Sequence, residues 1–220
     1  MTTSSRGDLD LVVMTMARTI VDNADYFAQL DSIVGDGDFG YSLRNGWEVV
    51  LADYASWDAP TTGAVLKKIG LTLAAKVGGV SGPMWGTAFL RAGAVAGDKE
   101  EITPDDVIAM LRAAIAGIMQ RGGAALGDKT LLDALAPVTD SLEASFKDPA
   151  TAADHGTAAL QQAADVAVQA ALDTKGMLAL RGRAAYTGER SRDSVDAGAT
   201  AIGVILQAIA AAWRDKHAQQ

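Results

Sequence analysis

The chain has 220 residues, 49% of them hydrophobic and 21% charged, which is enough apolar mass for one folded domain with a sizeable core and unlike a disordered segment. Lys plus Arg number 19 against 27 Asp plus Glu, a formal net charge of -8, and such a surface repels a nucleic-acid backbone. There is no Cys, which excludes disulfides, thiolate metal sites and a Cys nucleophile. Residues 1–10 lack the basic and apolar regions of a secretory leader, and no apolar run reaches the ~18 residues needed to span a bilayer. The expectation is a cytoplasmic protein with neither nucleic acid nor membrane as a partner.

Aromatic residues are only 5% and the apolar positions recur at helical spacing, so the predicted fold is all-α, about eight helices in one bundle. In chain order, helices are predicted over 9–23 and 41–54. A stripe of Leu66, Ile69, Leu73 and Val77 follows the candidate caps Thr61 and Thr62, and a further helix covers 84–96. The next starts at Thr103, where a cap, Pro104 at the first helical position and the acids Asp105 and Asp106 complement the helix dipole; its stripe is Val107, Leu111, Ile115 and Ile118. The remaining helices are 130–146, with a kink expected at Pro137, then 151–174 and 199–217. No fixed-period repeat or shift in composition divides the chain, so residues 1–220 read as a single domain.

Four Gly-rich interruptions carry charged or hydroxyl side chains, at 30–42, 78–86, 122–130 and 181–198. The first holds Asp31, Asp36 and Asp38 among Gly35, Gly37 and Gly40. Three carboxylates so close repel one another, and oxygen ligands without His or Cys suit a hard cation such as Mg²⁺; a solvated turn is the bland alternative. Gly35, Gly37 and Gly40 satisfy a dinucleotide-binding spacing, but no strand precedes them and the aspartates would push a pyrophosphate away. An EF-hand fails as well, because Trp47 falls where a bidentate Glu is required.

At 78–83 the glycines and a helix start could receive a phosphate on backbone N–H groups, or could simply make a tight turn. The segment from Gly122 to Thr130 nearly spells a P-loop, but Asp128 intrudes and a helix replaces the strand. Lys129 and Thr130 could still serve a nucleotide, and Gly127 with Asp128 could equally be a turn and an N-cap. In the fourth segment Arg183 and Arg190 could fork onto phosphates or pair with neighbouring acids such as Glu189. Asp196 could cap the last helix or contact a ribose or base.

In order, G-D-G-D-x-G, G-G-V-S-G-P, G-D-K-T-L-L-D-A-L and G-R-A-A-Y-T-G-E-R-S resemble the L subunit of bacterial dihydroxyacetone kinase, the nucleotide-binding kinase domain of that family. The resemblance implies an antiparallel eight-helix barrel with ADP or ATP held in loops at one end through two Mg²⁺ ions. Carried over by position, it assigns Asp31, Asp36 and Asp38 as metal ligands and, through the metal, as the catalytic set. Gly40, Tyr41 and Ser42 would lie beneath the phosphates, with Val80 and Ser81 beside them. Gly122, Thr130, Leu131, Arg183, Asp196, Ala197 and Gly198 would complete the nucleotide surface. Two departures stand out: Phe39 where relatives often have His or Cys, and Ala197 where they have Pro. Phe39 cannot donate a hydrogen bond to a phosphate oxygen.

The resemblance also implies that a short-chain ketose is held by a separate K-type subunit, since His155 and His217 fall outside every motif and read as helix-surface residues. The phosphoryl donor is left open between a phosphotransferase-system protein that rephosphorylates bound ADP and free ATP. The alternatives are a kinase subunit for a related ketose such as erythrulose, a non-catalytic nucleotide-binding coregulator, or a helical bundle holding an apolar ligand in an internal cavity.

Overall fold

The computed structural model describes residues 6–148 and 156–218. Among them are nine α-helices and no β-strand: α1 (Arg6–Asp22), α2 (Ala24–Ser32), α3 (Phe39–Asp53), α4 (Thr62–Lys76), α5 (Ser81–Ala96), α6 (Pro104–Gly122), α7 (Leu132–Lys147), α8 (Thr157–Asp173) and α9 (Ala197–His217). Each packs on its successor and α9 returns to α1. The rods therefore close an up-and-down antiparallel barrel, in which α1 and α2 occupy one place in the ring.

The predicted caps shape this layout. The Ala64 N–H donates to Thr61 Oγ1 at 3.2 Å. At α6, Thr103 and Asp106 form a reciprocal box, with Asp106 N donating to Thr103 Oγ1 at 3.1 Å and Thr103 N donating to Asp106 Oδ2 at 3.0 Å. The stripe residues Ile69 and Leu73 are fully buried. Helices α4 and α5 approach backbone to backbone through glycines: a Cβ on Gly70 would lie 2.9 Å from the Gly86 carbonyl oxygen, and one on Gly86 2.9 Å from that of Gly70.

Several expectations are corrected. Residues 30–42 are not all loop, because α2 runs to Ser32 and α3 starts at Phe39. Helix α2 is short, and its burial of Ala24, Phe27 and Ala28 makes it a tertiary rather than a propensity-driven element. The chain breaks at Asn23, whose Nδ2 donates to the Thr19 carbonyl at 2.8 Å. Helix α5 starts at Ser81, three residues early, and α7 starts at Leu132, two residues late, with Pro137 inside it as expected. The start of the helix predicted at 151–174 lies outside the described residues, as does His155. His217 is not a surface residue: its side chain is 11% exposed, 3.7 Å from Asp8 Oδ1, with its ring centroid 4.8 Å from that of Trp213. By length and composition α9 could cross a bilayer, contrary to the sequence reading, yet here it packs against α1, α7 and α8.

An apolar cavity of about 570 Å³ lies inside the barrel, with Met16, Trp85, Phe89, Met110, Leu142 and Leu206 among its walls. At one end it meets Asp8, Lys216 and His217, where Lys216 Nζ pairs with Asp8 Oδ1 at 2.6 Å.

Candidate functional site

The connections after α2, α4, α6 and α8 all lie at the same end of an up-and-down barrel, and these are the four Gly-rich segments. Helices α3 and α5 begin there with no side-chain cap on their first N–H groups, whereas the Leu132 N–H of α7 reaches Thr130 Oγ1 at 3.2 Å and α9 is capped by Asp196. Helices α4 and α6, which begin at the opposite end, are both capped. The starts of α3 and α5 thus present uncapped positive helix termini at this end of the barrel.

Against those termini stands the aspartate cluster. Asp31 sits in the last turn of α2, Asp36 in the 33–38 loop, and Asp38 at the N-cap position of α3. One carboxylate oxygen from each lies within 4.8 Å of the others. Asp38 withholds its side chain from the capping bond that its position invites. Instead Arg183 Nη1 pairs with Asp36 Oδ2 and lies 3.3 Å from Asp38 Oδ2. Asp31 Oδ2 is buried and accepts no hydrogen bond among the described residues.

At an effective dielectric of ~20, two carboxylates ~5 Å apart repel by roughly 3 kcal/mol before solvent screening. That screening is substantial here, since the Asp36 and Asp38 side chains are 43% and 50% exposed. The donor set is all oxygen, and an orphaned buried carboxylate oxygen seeks a cation. Both features fit a hard divalent ion such as Mg²⁺.

Close backbone contacts hold the cluster in place. A Cβ on Gly40 would lie 2.8 Å from both Ala24 C and Ala28 N, and nearer still to the Ala24 carbonyl oxygen. Only glycine lets α3 begin so near α2. A Cβ on Gly35 would strike the Asp31 carboxylate, at 2.8 Å from Cγ. Phe39, whose ring centroid is 6.3 Å from that of Phe27, is packed inward and serves the α2–α3 contact.

The remaining candidates gather around this point. Ser42 Oγ would be 3.1 Å from a Cβ on Gly78, which joins the start of α3 to the loop carrying the exposed Val80 and the Ser81 that opens α5. Tyr41 is exposed beneath the Arg44 guanidinium, 5.0 Å from its ring centroid. Gly122 abuts Met84 of α5, and Gly198 abuts Leu131. Asp196 caps α9 by accepting the Ala199 N–H at 2.7 Å. Burial pushes its carboxyl up to about 6. Thr130, Leu131, Asp196, Ala197 and Gly198 therefore share one rim of the barrel mouth.

Two sequence readings change. Asp128 does not cap α7; it is buried, with Oδ2 accepting from Ala125 N at 2.8 Å and Arg181 Nε at 2.6 Å, and both contacts hold its carboxyl below the usual range. Lys129 does not face the barrel mouth as a phosphate-binding lysine. It is 4% exposed and donates to the carbonyls of Met177 at 3.3 Å, Ser194 at 2.6 Å and Ser191. Glu189 pairs with Arg192 at 2.7 Å and has no recorded pairing with Arg190. The sequence reading also missed Asp133, which accepts from Gly127 N at 2.5 Å and Thr130 N at 2.7 Å. The spacing of Thr130 and Asp133, a hydroxyl followed three residues later by an acid, was the available sign.

Comparison with known proteins shows the family and the fold. The family model described as the DAK2 domain matches residues 33–211. The chain is 35% identical over 192 residues to the ADP-binding subunit DhaL of the PEP-dependent dihydroxyacetone kinase of Escherichia coli (strain K12), covering 87% of this chain and 90% of that one. It is also 35% identical over 197 residues to the D-erythrulose kinase of Mycolicibacterium smegmatis, covering 89% of this chain but 33% of the relative. Among solved structures, the dihydroxyacetone kinase of C. freundii superposes in its complex with AMP-PNP and Mg²⁺ with a TM-score of 0.71 at 25% identity, covering 96% of this chain and 34% of that one. The chain thus spans nearly all of the bacterial subunit and about a third of the two larger kinases.

Proposed function

The chain belongs to the DAK2 domain family, and from that membership we propose that residues 1–220 form the nucleotide-holding subunit of a dihydroxyacetone kinase, a phosphotransferase that works with a separate ketose-binding partner. The observation that carries the reading is the convergence of Asp31, Asp36 and Asp38, one of them with an orphaned buried oxygen, at the barrel end where α3 and α5 start uncapped. An acidic cluster cannot hold a polyphosphate by itself. The three carboxylates would hold Mg²⁺, which supplies charge neutralisation and a bridge to the phosphate oxygens.

Around that cation the chain's own groups have separable tasks. Arg183, already on Asp36 and Asp38, is within reach of phosphate oxygens and would fork onto them. Backbone N–H groups at Val80 and Ser81 and the start of α3 at Gly40, Tyr41 and Ser42 would orient the phosphate tail. Gly122, Thr130, Leu131 and the turn Asp196, Ala197, Gly198 would enclose the nucleoside. Catalysis in such a site is chiefly positioning and charge stabilisation as the phosphoryl group passes to a ketose hydroxyl.

Calorimetric titration with ADP and ATP, with and without Mg²⁺, tests the site. Binding is expected to require Mg²⁺ and to be lost in Asp36→Ala, and unchanged affinity in that variant would reject the assignment. Slow loss of ADP on dialysis would favour a phosphotransferase-system donor, and rapid exchange with ATP the other. A second ketose is supported by the D-erythrulose kinase, which matches at the same identity as the dihydroxyacetone kinase subunit. Turnover with K-type partners specific for each ketose separates the two, and nucleotide binding with no turnover beside either would point to a coregulator. The barrel cavity leaves room for an apolar ligand in addition to the nucleotide, which native mass spectrometry would reveal.

A further inference from the structure

The lysine that sequence spacing places in a near-P-loop is the best-buried cation among the described residues, and its ammonium group points at protein rather than at ligand. Lys129 takes a left-handed backbone conformation, φ 62°, which is strained for a side chain other than Gly, Asn or Asp. Its three acceptors lie 48, 62 and 65 residues further along the chain. All belong to the segment between α8 and α9 that carries Arg183.

The preceding residue grips the same segment. The Asp128 carboxylate takes Arg181, and its carbonyl accepts the Leu180 N–H at 3.0 Å. Within the segment Ala179 N donates to Ser191 Oγ at 2.9 Å, and Ser191 is fully buried. The stretch around Arg183 has little packing of its own. It coils through 3-10 turns interrupted at Gly188, φ 58°, and only Ser191 is buried between Arg183 and Asp193. Three carbonyls gathered on one ammonium form a rigid, desolvated node.

We propose that Lys129, braced by Asp128, is a positioning residue that fixes the 177–194 segment so that Arg183 stands over the aspartate cluster, making nucleotide retention depend on a side chain that touches no nucleotide. This rests on the reading of that cluster as the Mg-nucleotide site. Lys129→Met keeps the length of the side chain and removes its charge and donors. Mg-ADP is expected to bind about tenfold more weakly to it, the worth of a charge-assisted phosphate contact. Mg²⁺ alone should bind at least as tightly as to the parent, because a loosened Arg183 frees Asp36 and Asp38; a variant that had merely lost structure would weaken both. In a cycle with Arg183→Ala the two losses should not add, since each removes the same contact.

Unaltered Mg-ADP affinity in Lys129→Met, weaker binding of Mg²⁺ alone, or additive losses in the cycle would overturn the proposal while leaving the site reading intact. Failure of the unsubstituted chain to bind Mg-ADP would overturn both. Should Lys129→Met not fold, hydrogen exchange on the unsubstituted, nucleotide-free chain decides. Protection of the amides of Ala179 and Leu180 is expected, and exchange of 177–194 at the rate of a free peptide would overturn the proposal.

Discussion

Gly40→Ala tests the idea that backbone contact between α2 and α3 builds the aspartate cluster. The added methyl would lie 2.8 Å from Ala24 C and Ala28 N and closer still to the Ala24 carbonyl oxygen, against an ordinary carbon contact of ~3.5 Å or more. None of these atoms is the tip of a flexible side chain. Helix α3 must therefore withdraw by roughly 1 Å, at a cost at the upper end of the overpacking range, about 2–3 kcal/mol. For a chain of this size that lowers Tm by about 4–12 °C. Asp38 lies two residues before the clash and moves with it, so Mg-dependent ADP binding should fall by more than about tenfold. Gly79→Ala is the control: its φ of 61° imposes left-handed strain, but nothing lies within 4 Å of the new methyl, so only ~1 kcal/mol is expected. Differential scanning calorimetry and Mg-ADP titration of the pair check this. A Gly40→Ala protein melting within ~2 °C of the parent would refute the reasoning.

Asp196 gives a pH-dependent prediction. Its folded carboxyl lies at about 6 against an ordinary 3.8, so as pH rises from 4 to 6 the unfolded chain ionises first and stability falls. The penalty is absent below pH 4 and fully present above 6, on the order of 2–3 kcal/mol. Asp196→Asn, which keeps a competent cap, should match the parent near pH 4 and unfold at higher denaturant at pH 7 when nucleotide is absent; coincident urea curves at pH 7 would contradict this. Thr103→Ala removes the hydroxyl of the α6 capping box and should cost ~1 kcal/mol, about 2–4 °C in Tm, with Mg-ADP affinity unchanged because the box lies at the far end of the barrel.

What could be read from the sequence was whatever local chemistry decides. The Ile69–Leu73 stripe and the Thr61 and Thr103 caps appear as expected because periodicity and capping act within one helix. The aspartate cluster was readable because three carboxylates in eight residues pose an electrostatic problem wherever the chain runs. Helix α2 was missed because Phe27 and Ala28 are buried by α3, an arrangement that no window around residues 24–32 contains. Lys129 shows the same limit. Its neighbours Gly127 and Thr130 suggested a ligand, while its partners are carbonyls some 50 to 65 residues away, and only the closed barrel brings them together. His217 likewise becomes an inner residue only because α1 and α9 close the ring.

The two sides of the site are built differently, and that difference bears on how it works. On the aspartate side, Gly40 sets backbone against backbone, an arrangement that close packing makes stiff and intolerant of displacement. On the arginine side, the 177–194 segment is tied by side-chain bonds of Asp128, Lys129 and its own Ser191 and buries only Ala179, Ser191 and Ser194, which places it at the low-stability end of the structure. In the structure Arg183 rests on two of the carboxylates that a cation would take. On the proposed reading, a cation entering would displace a guanidinium from Asp36 and Asp38, and the displaced group would gain a partner only when a phosphate arrives with the metal. Metal and nucleotide binding would be coupled by this exchange: each should tighten the other by the same factor, and Arg183→Gln should shrink that factor by strengthening the binding of Mg²⁺ alone while weakening that of Mg-ADP. Equal factors in parent and variant would show that the arginine is a bystander to metal entry.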